Sequence, residues 1–374
     1  MMTYKSSVKS ATLAALTAFL ISGCDSAVLE SSNAASPSEL SVSEPQISNA
    51  GIGTVTRFDM RANDIIPNNA VIETLTDNQF SWSEGPVWIE DINEPAGGFV
   101  LFTDVPQNVM YKWSERDGLS EFLRPSGFDA QANPDIDTSI FREAGANGLI
   151  WGGDDTIIMG DHGNRAIMSL RLSDKTKTAL SDNFQGRKFN SPNDVVLAQD
   201  GAIYFTDPPY GLKGLNESAA KELPFNGVYR RDATGDLKII DRSLTFPNGV
   251  ILSPNEKVLY VAVSDPAAPA LYRYDLDANG APTSKTLMFD FKAMVDAGQS
   301  GLPDGMAISN DGHLFATGPD GIHVFAPDGT RIANIFTGTS AANCTFGGKD
   351  GDELYITSGA FLARIKLTTK GKGF

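Results

Sequence analysis

Six short apolar runs, each introduced by a residue with a side-chain oxygen, recur along the chain and restrict its fold more than any other feature. They begin at Glu84, Asn147, Asn193, Asn248, Asp304 and Asn343, with starts 63, 46, 55, 56 and 39 residues apart. Each is followed by a polar or Gly-rich corner and a second β-branched or aromatic run. Examples of that second run are Gly98–Asp104, Gly201–Asp207, Lys257–Ala262 and Gly312–Thr317. Long helical periodicity is absent, and runs of this length between Gly, Pro, Asn and Asp read as strands. A repeat of this period made of short strands is the signature of radially arranged four-stranded units. The reading is an all-β, six-bladed β-propeller. A β-sandwich is the alternative, but it does not account for six openings of the same character. Hydrophobic residues make up 41% of the chain, enough to fill the core such a ring needs. Val71–Leu75 lies ahead of the first opening and is expected to supply the outer strand of the last blade, closing the ring and protecting an edge.

The first 23 residues read as an address. Lys5 and Lys9 precede an apolar run, Ala11–Ile21, too short to cross a bilayer comfortably. It ends in Leu20-Ile21-Ser22-Gly23-Cys24, which looks like a bacterial lipobox whose cysteine is lipidated after cleavage. An ordinary secretory signal with a chance Cys is the alternative. Residues 25–50 are rich in Ser, Ala, Asn and Pro, a tether composition that cannot bury enough apolar surface to fold. The expected organisation is a signal at 1–23, lipidated Cys24 and tether at 24–56, and a propeller at 57–374. This implies export, with a lipid anchor on the outer side of a bacterial membrane as the only membrane attachment. A net charge of −16 disfavours nucleic acid, which demands basic surface. The two cysteines, Cys24 and Cys344, stand at opposite ends of the chain and exclude a disulfide scaffold.

In a propeller the first strand of each blade lines the central channel, so the six opening residues converge on one axis. None is Lys, Arg, His or Cys. Oxygen acceptors packed together repel and leave hydrogen bonds unmet. A hard dication resolves both problems, and Ca²⁺ takes roughly 6–8 oxygen ligands where Zn²⁺ prefers His and Cys. The competing reading is that Asn-Gly and Asp-Gly are only turn dipeptides, most persuasive at Asn147 and Asn343. Cys344 reads as a small buried hydrophobe, and no Gly-x-Ser-x-Gly elbow suggests a serine nucleophile. His162, in Gly160–Arg165, belongs either to the pocket or to a turn. Trp82, Trp88 and Trp151 read as core. Two long loops, 124–143 and 208–226, are expected to roof the site.

Ser83–Trp88, Asp161–Arg165, Ser191–Asp194, Thr206–Gly211, Phe246–Gly249, Leu302–Met306 and Phe346–Gly348 together resemble the gluconolactonase, regucalcin (senescence marker protein) and lactonase-like propeller family, over roughly residues 57–367. The Asp161–Arg165 and Thr206–Gly211 segments are closer to bacterial gluconolactonases than to animal regucalcins. The resemblance implies one catalytic divalent metal, usually Ca²⁺, held by Glu84, Asn193, Asn248 and Asp304. It implies hydrolysis of a small, sugar-type lactone by a monomer, with Asp304 as both ligand and general base and Glu84 as the fallback base. Asn147, His162 and Tyr210 are the candidate substrate contacts. Regucalcins carry a substrate-binding Arg where this chain has Ser191, which leaves the preferred lactone open. A metal-dependent esterase or phosphotriesterase, as in diisopropyl-fluorophosphatase-type propellers, and a non-catalytic calcium-binding propeller are the alternatives.

Overall fold

The β-branched and aromatic runs form antiparallel sheets arranged as a six-bladed propeller in a computed structural model that describes residues 51–374. The signal, Cys24 and most of the tether lie outside the described residues. Each blade is an up-and-down sheet whose first strand is innermost. The inner strands are Ser83–Glu90, Ala146–Gly153, Val195–Leu197, Pro247–Leu252, Met306–Ile308 and Asn343–Gly347, in blades I to VI. Each lies against the next, and the sixth closes on the first. A five-residue helix, Lys292–Asp296, is the one α-helix among the described residues.

The ring closes with N-terminal chain, as expected: Ile72–Thr74 pairs with Phe361–Lys366 as the outer strand of blade VI. A second closure was not legible in the sequence. Thr54–Arg57 pairs with Arg331–Phe336 and makes blade V five-stranded, so paired structure begins ahead of Arg57. The N-terminal segment thereby covers two adjacent blade edges.

Apolar side chains pack between neighbouring blades. Val87, Leu101 and Met110 of blade I meet Leu149, Met159 and Met168 of blade II, all buried. Trp88 is buried as expected and stacks on Tyr355 of blade VI, ring centroids 5.4 Å apart. Trp82 and Trp151 are not core residues, being 37% and 40% exposed. Trp82 lies just ahead of the inner strand of blade I, beside Gly359 of blade VI, and Trp151 lies near the far end of the inner strand of blade II. Cys344 is buried against the Phe315 carbonyl oxygen, and burial pushes its thiol well above the ordinary range.

At the axis the blades approach more closely than a side chain permits. A Cβ on Gly85 would sit 2.1 Å from the Asn147 carbonyl oxygen, and one on Gly249 would sit 2.1 Å from that of Asp304. The glycine after the opening residue therefore serves the contact with the next blade, and the turn-dipeptide reading does not describe it. Threonines of the second strands latch the same junctions. Thr103 Oγ1 donates to the Asn147 carbonyl (3.1 Å) and Thr206 Oγ1 to that of Asn248 (2.6 Å).

Candidate active site

The inner strands begin on the same face as the loops that join second to third strands, and that face carries the candidate site. Ser83 pairs with Asp104 at the start of blade I, which places Glu84 one residue inside the channel. Asp104 also accepts hydrogen bonds from the Ser81 and Trp82 backbone (2.8 and 3.4 Å). Asp207 does the same for Asn190 and Ser191 (both 2.9 Å), just ahead of Asn193. A carboxylate at the end of the second strand thus fixes the chain that leads into the first.

The six opening residues meet at the axis, and a hydrogen-bonded chain runs through Asn147, Asn193 and Asn248. Asn147 Nδ2 donates to Asn193 Oδ1 (2.7 Å), and Asn193 Nδ2 donates to Asn248 Oδ1. Asn248 Nδ2 donates to Ser264 Oγ at 2.8 Å, and the Asn248 amide also supports the Asp304 carboxyl. From the neighbouring blade VI, the Asn343 amide supports Glu84. Glu84 further accepts from the Trp82 indole N–H (Oε1, 3.1 Å) and from the Gly85 backbone (Oε2, 3.2 Å). Glu84, Asn147, Asn193, Asn248 and Asn343 are buried, while Asp304 keeps partial exposure.

Charge is concentrated here. Burial pushes the Glu84 carboxyl up to about 8, with the Asp194 charge adding to the rise against the Trp82 and Gly85 hydrogen bonds. Burial and the neighbouring Glu84 and Asp194 charges hold Asp304 well above the usual carboxylate range. Asp194 stands in the Ser191–Asp194 motif, but sequence alone gives it no role of its own. It sits on the blade III–IV seam, accepting from Val195 N (3.0 Å) and Val250 N (2.9 Å), and burial raises it to about 7. Its only sequence signal is that it replaces the glycine found after four of the other five opening residues.

His162 is fully buried at the end of the second strand of blade II. Its Nε2 lies 3.0 Å from Asn193 Oδ1, and its Nδ1 lies 3.6 Å from Glu143. Tyr210 stacks on Phe246, centroids 5.9 Å apart and planes 9° from parallel. Its hydroxyl is buried without a hydrogen-bond partner among the described residues. The two long loops meet: Arg142 N donates to the Gly211 carbonyl (2.8 Å) and Lys213 N to that of Ile140 (2.7 Å). Ser191 is buried, donating its hydroxyl to the Pro208 carbonyl at 2.6 Å and accepting from Gly211 N at 2.9 Å.

The donor set suits a hard cation. Among the described residues no Lys, Arg or His forms an ion pair with Glu84 or Asp304, so their two negative charges lack a protein counter-ion. No cluster of three or more His, Cys, Asp or Glu side chains at ligating spacing exists among the described residues, so a cation here needs amide oxygens as well. Asn248 Oδ1 accepts one hydrogen bond from the network and keeps a lone pair free. Asn193 Oδ1 accepts from both Asn147 and His162, and would exchange one of them on ligating.

The fold and site define a propeller with an oxygen-walled polar centre at one mouth of its channel. The chain belongs to the SMP-30/gluconolactonase/LRE-like family, whose model matches residues 82–360. It is 44% identical to a gluconolactonase of Zymomonas mobilis over 86% of this chain and 88% of that one. A solved gluconolactonase of Xanthomonas campestris superposes with a TM-score of 0.69 at 26% identity, covering 87% of this chain and 98% of the other.

Proposed function

We propose that this chain is a lactonase that opens a small sugar-derived lactone with a hard dication, Ca²⁺ in the first instance, held by Glu84, Asn193, Asn248 and Asp304. The observation that carries the reading is the meeting of buried Glu84 and part-exposed Asp304, neither of them ion-paired among the described residues, with amide oxygens in a chain 44% identical to a gluconolactonase. The cation would polarise the lactone carbonyl and stabilise the developing oxyanion, and its charge would offset the repulsion between Glu84 and Asp304.

Asp304 is the base. Its partial exposure leaves it open to water, and a carboxylate can take the proton of that water. Water adds to the carbonyl carbon as Asp304 takes its proton. Collapse of the tetrahedral adduct breaks the ring C–O bond, and the departing alkoxide recovers the proton from Asp304, giving the open hydroxy acid. The Asn147–Asn193–Asn248 chain holds the ligating amides in register, His162, fully buried, backs Asn193, and Asn147 and Tyr210 are left as the candidate substrate contacts. The lipobox reading adds that the enzyme is exported and tethered through Cys24, working as a monomer on the outer side of a bacterial membrane.

The test is a panel of δ- and γ-lactones beside aryl esters and phosphotriesters, each with and without chelator. Chelator-sensitive turnover favouring a sugar lactone is expected. Preference for a phosphotriester or aryl ester would move the assignment to the esterase reading. Absence of turnover on the whole panel in metal-replete protein would leave a binding propeller.

A further inference from the structure

Trp82 was expected in the core, yet its ring is 37% exposed on the face that carries the site. Its position is built. The backbone N–H is held by Asp104, and the indole N–H is held by Glu84 Oε1 at 3.1 Å. A large apolar ring left open to solvent while its polar edge is tied to a buried carboxylate is an arrangement a packing role does not require. Blade I, which carries Trp82, stands opposite blade IV in the order of inner-strand contacts around the ring. Phe246 leads into the inner strand of blade IV, and Tyr210 stacks on it. Tyr210 lies near enough to Asp304 and Glu84 for both charges to act on its phenol, beside Ser264.

We propose that Trp82 is a substrate-contacting residue that forms one wall of a flat slot. The Tyr210–Phe246 pair forms the facing wall, and Glu84 and Asp304 lie at its floor. The slot takes a six-membered sugar ring, whose C–H face rests on the indole. Trp82 also orients Glu84 through its N–H. This rests on the lactonase reading for the identity of the ring, but not for the existence of the slot.

The test uses the mature protein with Ca²⁺ and the variants Trp82→Ala, Trp82→Phe and Trp151→Phe, each first checked for an unchanged thermal melt. Trp82→Phe keeps an aromatic face and loses the N–H. Hydrolysis of glucono-δ-lactone should show KM raised about tenfold in Trp82→Ala, the scale of one lost aromatic contact, with KM within about threefold of wild type but lower kcat in Trp82→Phe. In the Trp151→Phe background, 1,5-anhydroglucitol, a pyranose with no carbonyl to attack, should shift tryptophan emission saturably. The shift should vanish when Trp82→Phe is added. Wild-type KM in Trp82→Ala, or a saturable shift that persists without Trp82, overturns the wall. If the wild-type enzyme leaves the lactone intact while the pyranose still perturbs Trp82, the slot stands and the lactonase reading falls.

Discussion

His162 Nε2 lies 3.0 Å from Asn193 Oδ1, joining the end of the second strand of blade II to the start of the inner strand of blade III. The contact crosses a blade seam, so the imidazole holds a proposed ligand in place from outside its own sheet. Partners of this kind typically contribute about 10–100-fold to metal affinity. His162→Ala is expected to weaken Ca²⁺ binding within that range while the fold survives. An isotherm on the variant checks it, and unchanged affinity would show that Asn193 needs no such support.

Asp304→Asn separates a base from a ligand. It keeps one oxygen donor and removes the proton acceptor, so kcat should fall by roughly 10²–10⁴ at saturating Ca²⁺ while metal occupancy falls much less. Asn248→Asp adds charge without removing a candidate base and should hold metal at least as tightly with measurable turnover. Bound Ca²⁺ and kcat are measured on the same preparation of each variant. Near wild-type kcat in fully metallated Asp304→Asn would pass the role to Glu84.

Metal-free protein should lose stability as pH rises. Glu84 is raised from 4.5 to about 8, and Asp194 and Asp207 from 3.8 to about 7. Carboxyls raised in the folded state bind more protons there than in the unfolded chain, so unfolding free energy falls across that interval. Melting curves with and without Ca²⁺ at pH 5 and pH 8 should show a larger gain from Ca²⁺ at the higher pH. An equal or smaller gain at pH 8 would contradict the assignment of the cation to Glu84 and Asp304.

Asp194→Ala should strand the Val195 and Val250 backbone N–H groups at the blade III–IV seam. Each buried donor left unpaired costs about 1–3 kcal/mol, so a loss of roughly 2–4 kcal/mol is expected, partly offset by relief of repulsion with Glu84 and Asp304. Urea unfolding of the metal-loaded protein measures it. A change below ~0.5 kcal/mol would show that the seam does not depend on this carboxylate.

The mature N-terminus should begin at Cys24 and carry lipid. Intact-mass and peptide spectrometry of membrane-extracted protein decide the point. An unmodified terminus at another residue would leave a plain secreted enzyme.

The repeating openings made the blade count and the polar axis legible, because a strand's first residue and its apolar alternation are local properties of the chain. Glu84, Asn193, Asn248 and Asp304 could be named from their place in that repeat. Other features depend on which blade lies beside which. Thr54–Arg57 carries no mark of the edge it completes, since Arg331–Phe336 is its partner only once the ring has closed. Asp194 looks like part of an Asn-Asp turn until Val250 N of the next blade is brought 2.9 Å from it. Trp82 reads as core by composition, because hydrophobicity states that a ring prefers burial and says nothing of whether a neighbour stands over it. The sequence by itself determined the strands, their repeat and the oxygen-bearing residue at the head of each. Tertiary closure decided that those six heads meet at one axis, that a glycine follows Glu84 and Asn248 because the next blade's backbone passes within 2.1 Å of where a Cβ would be, and that Trp82 turns its indole N–H to Glu84. These are properties of contact between distant segments, and the local energetics of the chain do not encode them.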